Sequence, residues 1–173
     1  MKHPIAFLLV LFCAASVSTQ TSKRDQATEK PRPDFSGTWV RDNSKSNLGP
    51  FNGSPMARAE LTLVIAQHDP ELKVSRKLKL SDKELTGGLV YYTDGRGETN
   101  PSSFSRAEVK SRTTWDGDKI VAQSSPSRTS PAGDVDTTET WELSTDGKTL
   151  IQTTTITSRL ATRTMKEVFN RAS

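Results

Sequence analysis

Arg76 is the first residue of this chain whose surroundings invite chemistry. It stands in the run Leu72-Lys73-Val74-Ser75-Arg76-Lys77-Leu78-Lys79-Leu80, whose apolar residues occupy alternate positions. A period of two therefore places Arg76 on the apolar side of a strand, with Lys73, Ser75, Lys77 and Lys79 towards water. An inward guanidinium can take a carboxylate or phosphate through two parallel hydrogen bonds. Two other readings stay open: an ion pair with an inward acid, for which Glu139 beside Trp141 is the candidate, or a bulge that turns Arg76 outward. Arg163, on a face with Ala161 and Met165, reads in the same way, and Gln152, between Leu150 and the run 154–156, is a further inward polar group. Trp115 and Trp141 are either wall residues or stacking surfaces for a ligand. Tyr91 and Tyr92 are neighbours in a strand, so only one faces inward, and Tyr92 is assigned there.

The residue inventory argues against catalysis. The 173-residue chain has one Cys and two His. Cys13 and His3 fall in the first 20 residues, which leaves His68 in the turn His68-Asp69-Pro70-Glu71, with no Ser beside it in sequence. A His-supported nucleophile and a structural zinc site both lack their residues. Asp116-Gly117-Asp118 lacks the further oxygens of a calcium loop, and no Gly-rich phosphate loop precedes a helix. No catalytic residue, metal or cofactor is expected.

The candidate residues sit on strands. Asp116-Gly117 and Asp146-Gly147 join alternating runs and read as type I′ hairpin turns, with Asp94-Gly95-Arg96-Gly97 another hairpin tip. Further strands are expected at 35–41, 58–67, 72–80, 85–93, 107–115, about 120–123, 135–144, 149–158 and 161–171, with a short ambiguous one in 98–106 broken at Asn100-Pro101. Gly87 and Gly88 suggest a bulge or corner. Residues 42–56 are rich in Asn, Ser, Gly and Pro and read as a loop, as does 124–133. No stretch reads as a helix. The expected fold is all-β, an antiparallel up-and-down barrel of about nine or ten strands, because a meander of this length must pair its edges or close.

Residues 1–20 carry Lys2, an apolar run from Ile5 to Ala15 and small residues after it, the pattern of a secretory signal peptide. The run is too short to span a bilayer, and bulky Phe12 disfavours lipid attachment at Cys13. Export to a periplasmic or extracellular space is expected, with no transmembrane segment after processing. Residues 21–34, polar and proline-containing, read as a flexible leader to a single domain over 35–173. Lys and Arg number 24 against 20 Asp and Glu, with signs interspersed, which gives no support for a nucleic-acid partner. Hydrophobic residues make up only 32% of the chain. Alternation and three tryptophans argue against disorder, so the low figure points to a one-layer sheet with a mixed, partly polar interior.

Three segments carry a resemblance: Phe35, Gly37, Thr38 and Trp39 near the start, Thr114-Trp115-Asp116-Gly117-Asp118-Lys119-Ile120-Val121 in the middle, and Phe169 and Arg171 at the end. They resemble the calycin barrels, that is lipocalins and fatty-acid-binding proteins, and more closely small secreted bacterial lipocalin-like proteins. The resemblance implies that Gly37 and Trp39 close one end of the barrel. It also implies a helix pair between the first two strands, which 42–56 does not supply. The positions matching the carboxylate-binding Arg and Tyr of fatty-acid-binding proteins hold Glu167 and Phe169.

The reading that follows is an exported, non-catalytic binding protein that holds a small amphipathic or hydrophobic ligand inside a lipocalin-like barrel. Loops 42–56, 94–106 and 124–134 are its expected rim. The alternative is a barrel filled by its own side chains, an envelope or surface module that meets a protein partner through loops or an edge strand. Isomerisation or hydrolysis by interior Arg and acids stands third.

Overall fold

The computed structural model describes residues 31–101, 108–124 and 135–172. Ten antiparallel strands follow one another in the compact unit Arg32–Ser173. They are β1 (Gly37–Arg41), β2 (Glu60–His68), β3 (Glu71–Lys79), β4 (Glu84–Tyr92), β5 (Glu98–Pro101), β6 (Glu108–Asp116), β7 (Lys119–Ser124), β8 (Asp136–Leu143), β9 (Thr149–Thr157) and β10 (Thr162–Arg171). Their order across the sheet is β4-β3-β2-β1-β10-β9-β8-β7-β6-β5. The sheet curls into a nearly closed barrel, as the meander pattern requires.

Closure at the remaining seam is by side chains. The Asn100 amide stands in for a strand backbone: its Oδ1 accepts from Val90 N–H and its Nδ2 donates to Val90 C=O, both at 2.8 Å. Below it, Glu98 Oε2 accepts from Tyr92 N–H at 3.1 Å. The other carboxylate oxygen accepts from Ser111 Oγ at 2.6 Å and Thr113 Oγ1 at 2.7 Å. Glu98 and Asn100 are both buried, so these bonds satisfy groups that water does not reach.

One end is sealed. Trp39 Nε1 donates to Phe35 C=O at 2.9 Å, and the Arg171 guanidinium lies 4.2 Å from the Trp39 ring centroid while donating to Ser36 C=O at 2.6 Å. Phe35 packs against Trp115 and Trp141 with ring centroids 6.0 and 6.4 Å apart, and Tyr91 meets Trp141 edge-on at 5.5 Å. Offset and edge-on aromatic pairs of this kind add about 0.5–1.5 kcal/mol each beyond the area that they bury. Contacts extend back into the expected leader: Gln67 binds Phe35 N–H and Pro33 C=O, and Arg32 lies over Trp115.

Several local expectations are corrected. Residues 42–59 include a 3-10 turn, Gly49–Phe51, and one helical turn, α1 (Pro55–Arg58), each with proline in its first turn, where a missing N–H costs nothing. Gly87 and Gly88 lie in an unbroken ladder opposite Arg76 and Ser75, without a bulge. Between the paired Asp116 and Lys119, Gly117 has positive φ and Asp118 does not, which is the II′ pattern rather than I′. Gly147 closes a longer loop, with its N–H donating to Ser144 C=O at 2.8 Å.

Candidate functional site

The barrel interior has two storeys. Along β4, Leu89 and Tyr91 are buried, yet residues 84–88 are exposed on both faces, including Leu85 and Gly87 at inward positions. Along β10, Phe169 is fully buried and Arg163 is exposed. The interior at the Trp39 end is therefore packed solid, whereas at the other end the described residues Leu85 and Arg163, at inward positions, are exposed. Strand ends Pro101, Glu108, Ser124 and Asp136 lie at the other end.

A layer of polar side chains divides the two storeys. Register across four strands places Glu167, Gln152, Trp141 and Ile120 side by side on the inner wall, with Met165, Thr154, Glu139 and Ala122 in the next row towards the mouth. Trp141 Nε1 donates to Glu139 Oε1 at 2.7 Å. Gln152 is 2% exposed, and its Oε1 has no hydrogen-bond partner. Arg76, opposite Leu63 in register, shares that residue's inward face. Burial pushes the Glu139 carboxyl above its ordinary range; the Arg76 charge and the indole hydrogen bond pull it back only in part, and Glu167 raises it further. Burial likewise raises the Tyr91 phenol, with Glu139 adding to the effect and Arg76 opposing it.

Arg41 completes the layer. Its guanidinium donates to Glu167 Oε1 and Asn43 Oδ1 at 2.8 Å, and to Met56 and Ala59 carbonyls at 2.6 and 2.8 Å. It is a structural clamp that ties the 42–59 segment to β10. Sequence reasoning passed over it, although Arg41 shares the parity of Gly37 and Trp39 and so had to point inward.

The sequence candidates separate accordingly. Arg76, Gln152 and Trp141 meet at the polar layer, with Glu139 beside them. Trp115 is half-buried in the sealed base, its Nε1 unpartnered. Tyr92 is on the outer side, 4.8 Å beneath the Arg96 guanidinium, and Tyr91 is the inward tyrosine because it pairs with buried Leu72. Arg163 stands exposed at the mouth rather than inside. Of the expected rim, 42–56 borders the mouth, whereas the turn at 94–97 lies at the sealed end; residues 102–106 and 125–134 lie outside the described residues. Glu167 is tied to Arg41 and Phe169 is core, so neither presents a carboxylate-binding Arg or Tyr.

A cleft of about 500 Å³ approaches this layer from outside, between Val64, Ser75, Lys77 and Gly88, and reaches Arg76. A Cβ at Gly87 or Gly88 would meet nothing within 4 Å, so the wall is thin there for want of side chains. Among the described residues no group of three or more His, Cys, Asp or Glu could hold a metal ion, and no helix is long and apolar enough to cross a membrane.

No protein-family model matches the chain, and no match was found among curated protein sequences. Solved structures match in fold. The apo form of Caenorhabditis elegans lipid binding protein 8 superposes with a TM-score of 0.59 at 12% identity, covering 80% of this chain and 95% of that one. Secretory abundant heat soluble protein 4 from Ramazzottius varieornatus gives 0.55 at 14%, covering 83% and 99%. Zebrafish ileal bile acid-binding protein, solved with cholic acid, gives 0.55 at 15%, covering 80% and 98%. At these identities the likeness establishes a calycin-type barrel fold.

Proposed function

We propose that this barrel is a non-catalytic binding protein for a small amphipathic molecule, held in the open storey with its polar end on the Arg76, Glu139 and Gln152 layer. The observation that carries this reading is a buried polar group on the inner wall, the Gln152 amide oxygen, which has no hydrogen-bond partner. A polar atom left unsatisfied in a closed core costs about 1–3 kcal/mol, and a ligand group that reaches it recovers that cost. Leu78, Leu85, Ile156 and Met165 line the wall above it with apolar surface for the rest of the molecule. The lipid- and bile-acid-binding names of the structural neighbours support the same class of ligand. Export, from the apolar segment in residues 1–20, is part of the proposal and would make the protein an extracytoplasmic carrier or scavenger.

One observation favours the alternative, a module that meets a protein partner. Phe35, Trp39, Trp141 and Phe169 fill the lower half, so the cup is shallow, and Phe51, Met56 and Leu160 leave apolar surface exposed around the described part of the mouth. Native mass spectrometry of protein purified from its own host, before and after solvent extraction, separates the two. A discrete extra mass lost on extraction is expected; a bare chain that instead retains a second polypeptide would favour the partner reading.

A further inference from the structure

Strand β4 is closed along only part of its length. It stands at one end of the sheet order, with β5 at the other. Towards the sealed end, Val90 N–H and C=O are taken by Asn100, and Tyr92 N–H by Glu98. Backbone groups of alternate residues point the same way along a strand, so those of Glu84, Thr86 and Gly88 face this seam too. Among the described residues no strand pairs with them there. Residues 84–88 are exposed on both faces, Leu85 is 51% exposed, and a Cβ at Gly87 or Gly88 would meet nothing within 4 Å. An open edge of this kind is a template for another strand.

The sizes of the residues along the edge decide which strand fits it. Glu84 and Leu85 are large and stand at one end of the run, whereas Gly87 and Gly88 lack side chains and stand at the other. A second copy of 84–88 laid antiparallel, Thr86 opposite Thr86, puts Glu84 opposite Gly88 on the outer face and Leu85 opposite Gly87 on the inner face, twice over by symmetry. On the outer face the partner's Glu84 enters the cleft lined by Val64, Ser75, Lys77 and Gly88, where Lys77 has the opposite charge. On the inner face Leu85 gains the cover that it lacks in one chain. The register has no room to slide. One step towards the sealed end sets Glu84 against Val90, whose peptide group Asn100 already holds, and one step away sets Gly88 against Asp82, which lies outside β4.

We propose that the chain pairs with a second copy of itself through this edge, residues 84–88 against 84–88 across a two-fold axis at Thr86. The pairing is independent of what the barrel holds. The contact is short and belongs to the weak end of specific interfaces, so the dimer forms in proportion to concentration.

The test is sedimentation of the full chain between about 1 µM and 1 mM, with amide hydrogen exchange at both ends of that range. The mass is expected to rise from that of one chain towards that of two, and the Thr86 and Gly88 amides to gain protection only at the high end. Thr86→Pro removes the central N–H on the seam side and leaves the β3 ladder its bonds, so it is expected to abolish the rise with the fold intact by circular dichroism. Gly88→Val fills the space that Glu84 of the other copy needs and is expected to do the same. With Cys13 replaced by Ser, Thr86→Cys meets itself at a Cα separation of about 5.5 Å, within disulfide reach, whereas Glu84→Cys meets Gly88. Mild oxidation should therefore link Thr86→Cys several-fold faster. One chain at every concentration, protection of Thr86 already at dilution, or equal linking of the two cysteine variants would overturn the proposal. So would protein from its own host that carries a different polypeptide and loses it on Thr86→Pro.

Discussion

The Arg41 guanidinium and the Glu167 carboxylate lie 2.8 Å apart with side chains 3% and 17% exposed, which makes them a buried ion pair between the first and last strands. Removing one partner of such a pair leaves an uncompensated buried charge, at a cost of about 3–5 kcal/mol. Arg41→Ala is expected to fall in that range by urea unfolding, because Met56 and Ala59 carbonyls lose their donor as well. Glu167→Gln keeps an acceptor for Arg41 and should cost clearly less.

The sealed end gives a second prediction. Gly37 has φ of +134°, and a Cβ there would stand 2.6 Å from Arg171 Nη1. Gly37→Ala should lose about 1–3 kcal/mol of stability from backbone strain alone. Arg171→Ala should lose about 0.5–2 kcal/mol with the stacking on Trp39. Combined, the two substitutions should cost less than their sum, since removing the guanidinium relieves the clash, and a double-mutant cycle measures the difference.

The β4–β5 seam predicts a local effect. Asn100→Ala removes both hydrogen bonds to the Val90 peptide group, so exchange of the Val90 amide proton should accelerate strongly, while amides in the β2–β3 ladder keep their protection. Asn100→Asp retains an acceptor for the N–H alone and should fall between the two.

Glu139 makes stability depend on pH. Its carboxyl titrates above its ordinary value in the folded chain because burial disfavours the charged form. A proton is thus bound more tightly in the native state than in the unfolded one. That contribution to stability is fully present below the unfolded value, 4.5, and is lost as pH rises through the folded one. Glu139→Gln should therefore gain stability relative to the unaltered protein as pH increases across this window, as read from unfolding midpoints at a series of pH values.

Much of this fold is legible from alternation. Leu72, Val74 and Leu78 put Arg76 indoors without any knowledge of its neighbours, and the last three strands lie within a residue or two of where the pattern sets them. Tyr91 and Tyr92 show where that reasoning stops: adjacent residues differ only by parity, and the parity came from pairing with Leu72 on another strand. Arg163 shows a different limit. Its parity is inward, but the barrel wall ends around it, and height along the axis is set by strand stagger rather than by local pattern. The Asn100 seam leaves no local signal, since an amide that replaces a strand backbone looks in sequence like an interruption before proline.

Backbone amide and side-chain NMR shifts, followed while decan-1-ol is added, test the central claim most directly. Binding in the open storey predicts saturable shifts at the Gln152 side-chain amide, the Trp141 indole N–H and the Met165 methyl, with the outer-face residues Lys73 and Lys77 unmoved. Shifts confined to the outer face, or none at all at these three inner groups, would contradict it.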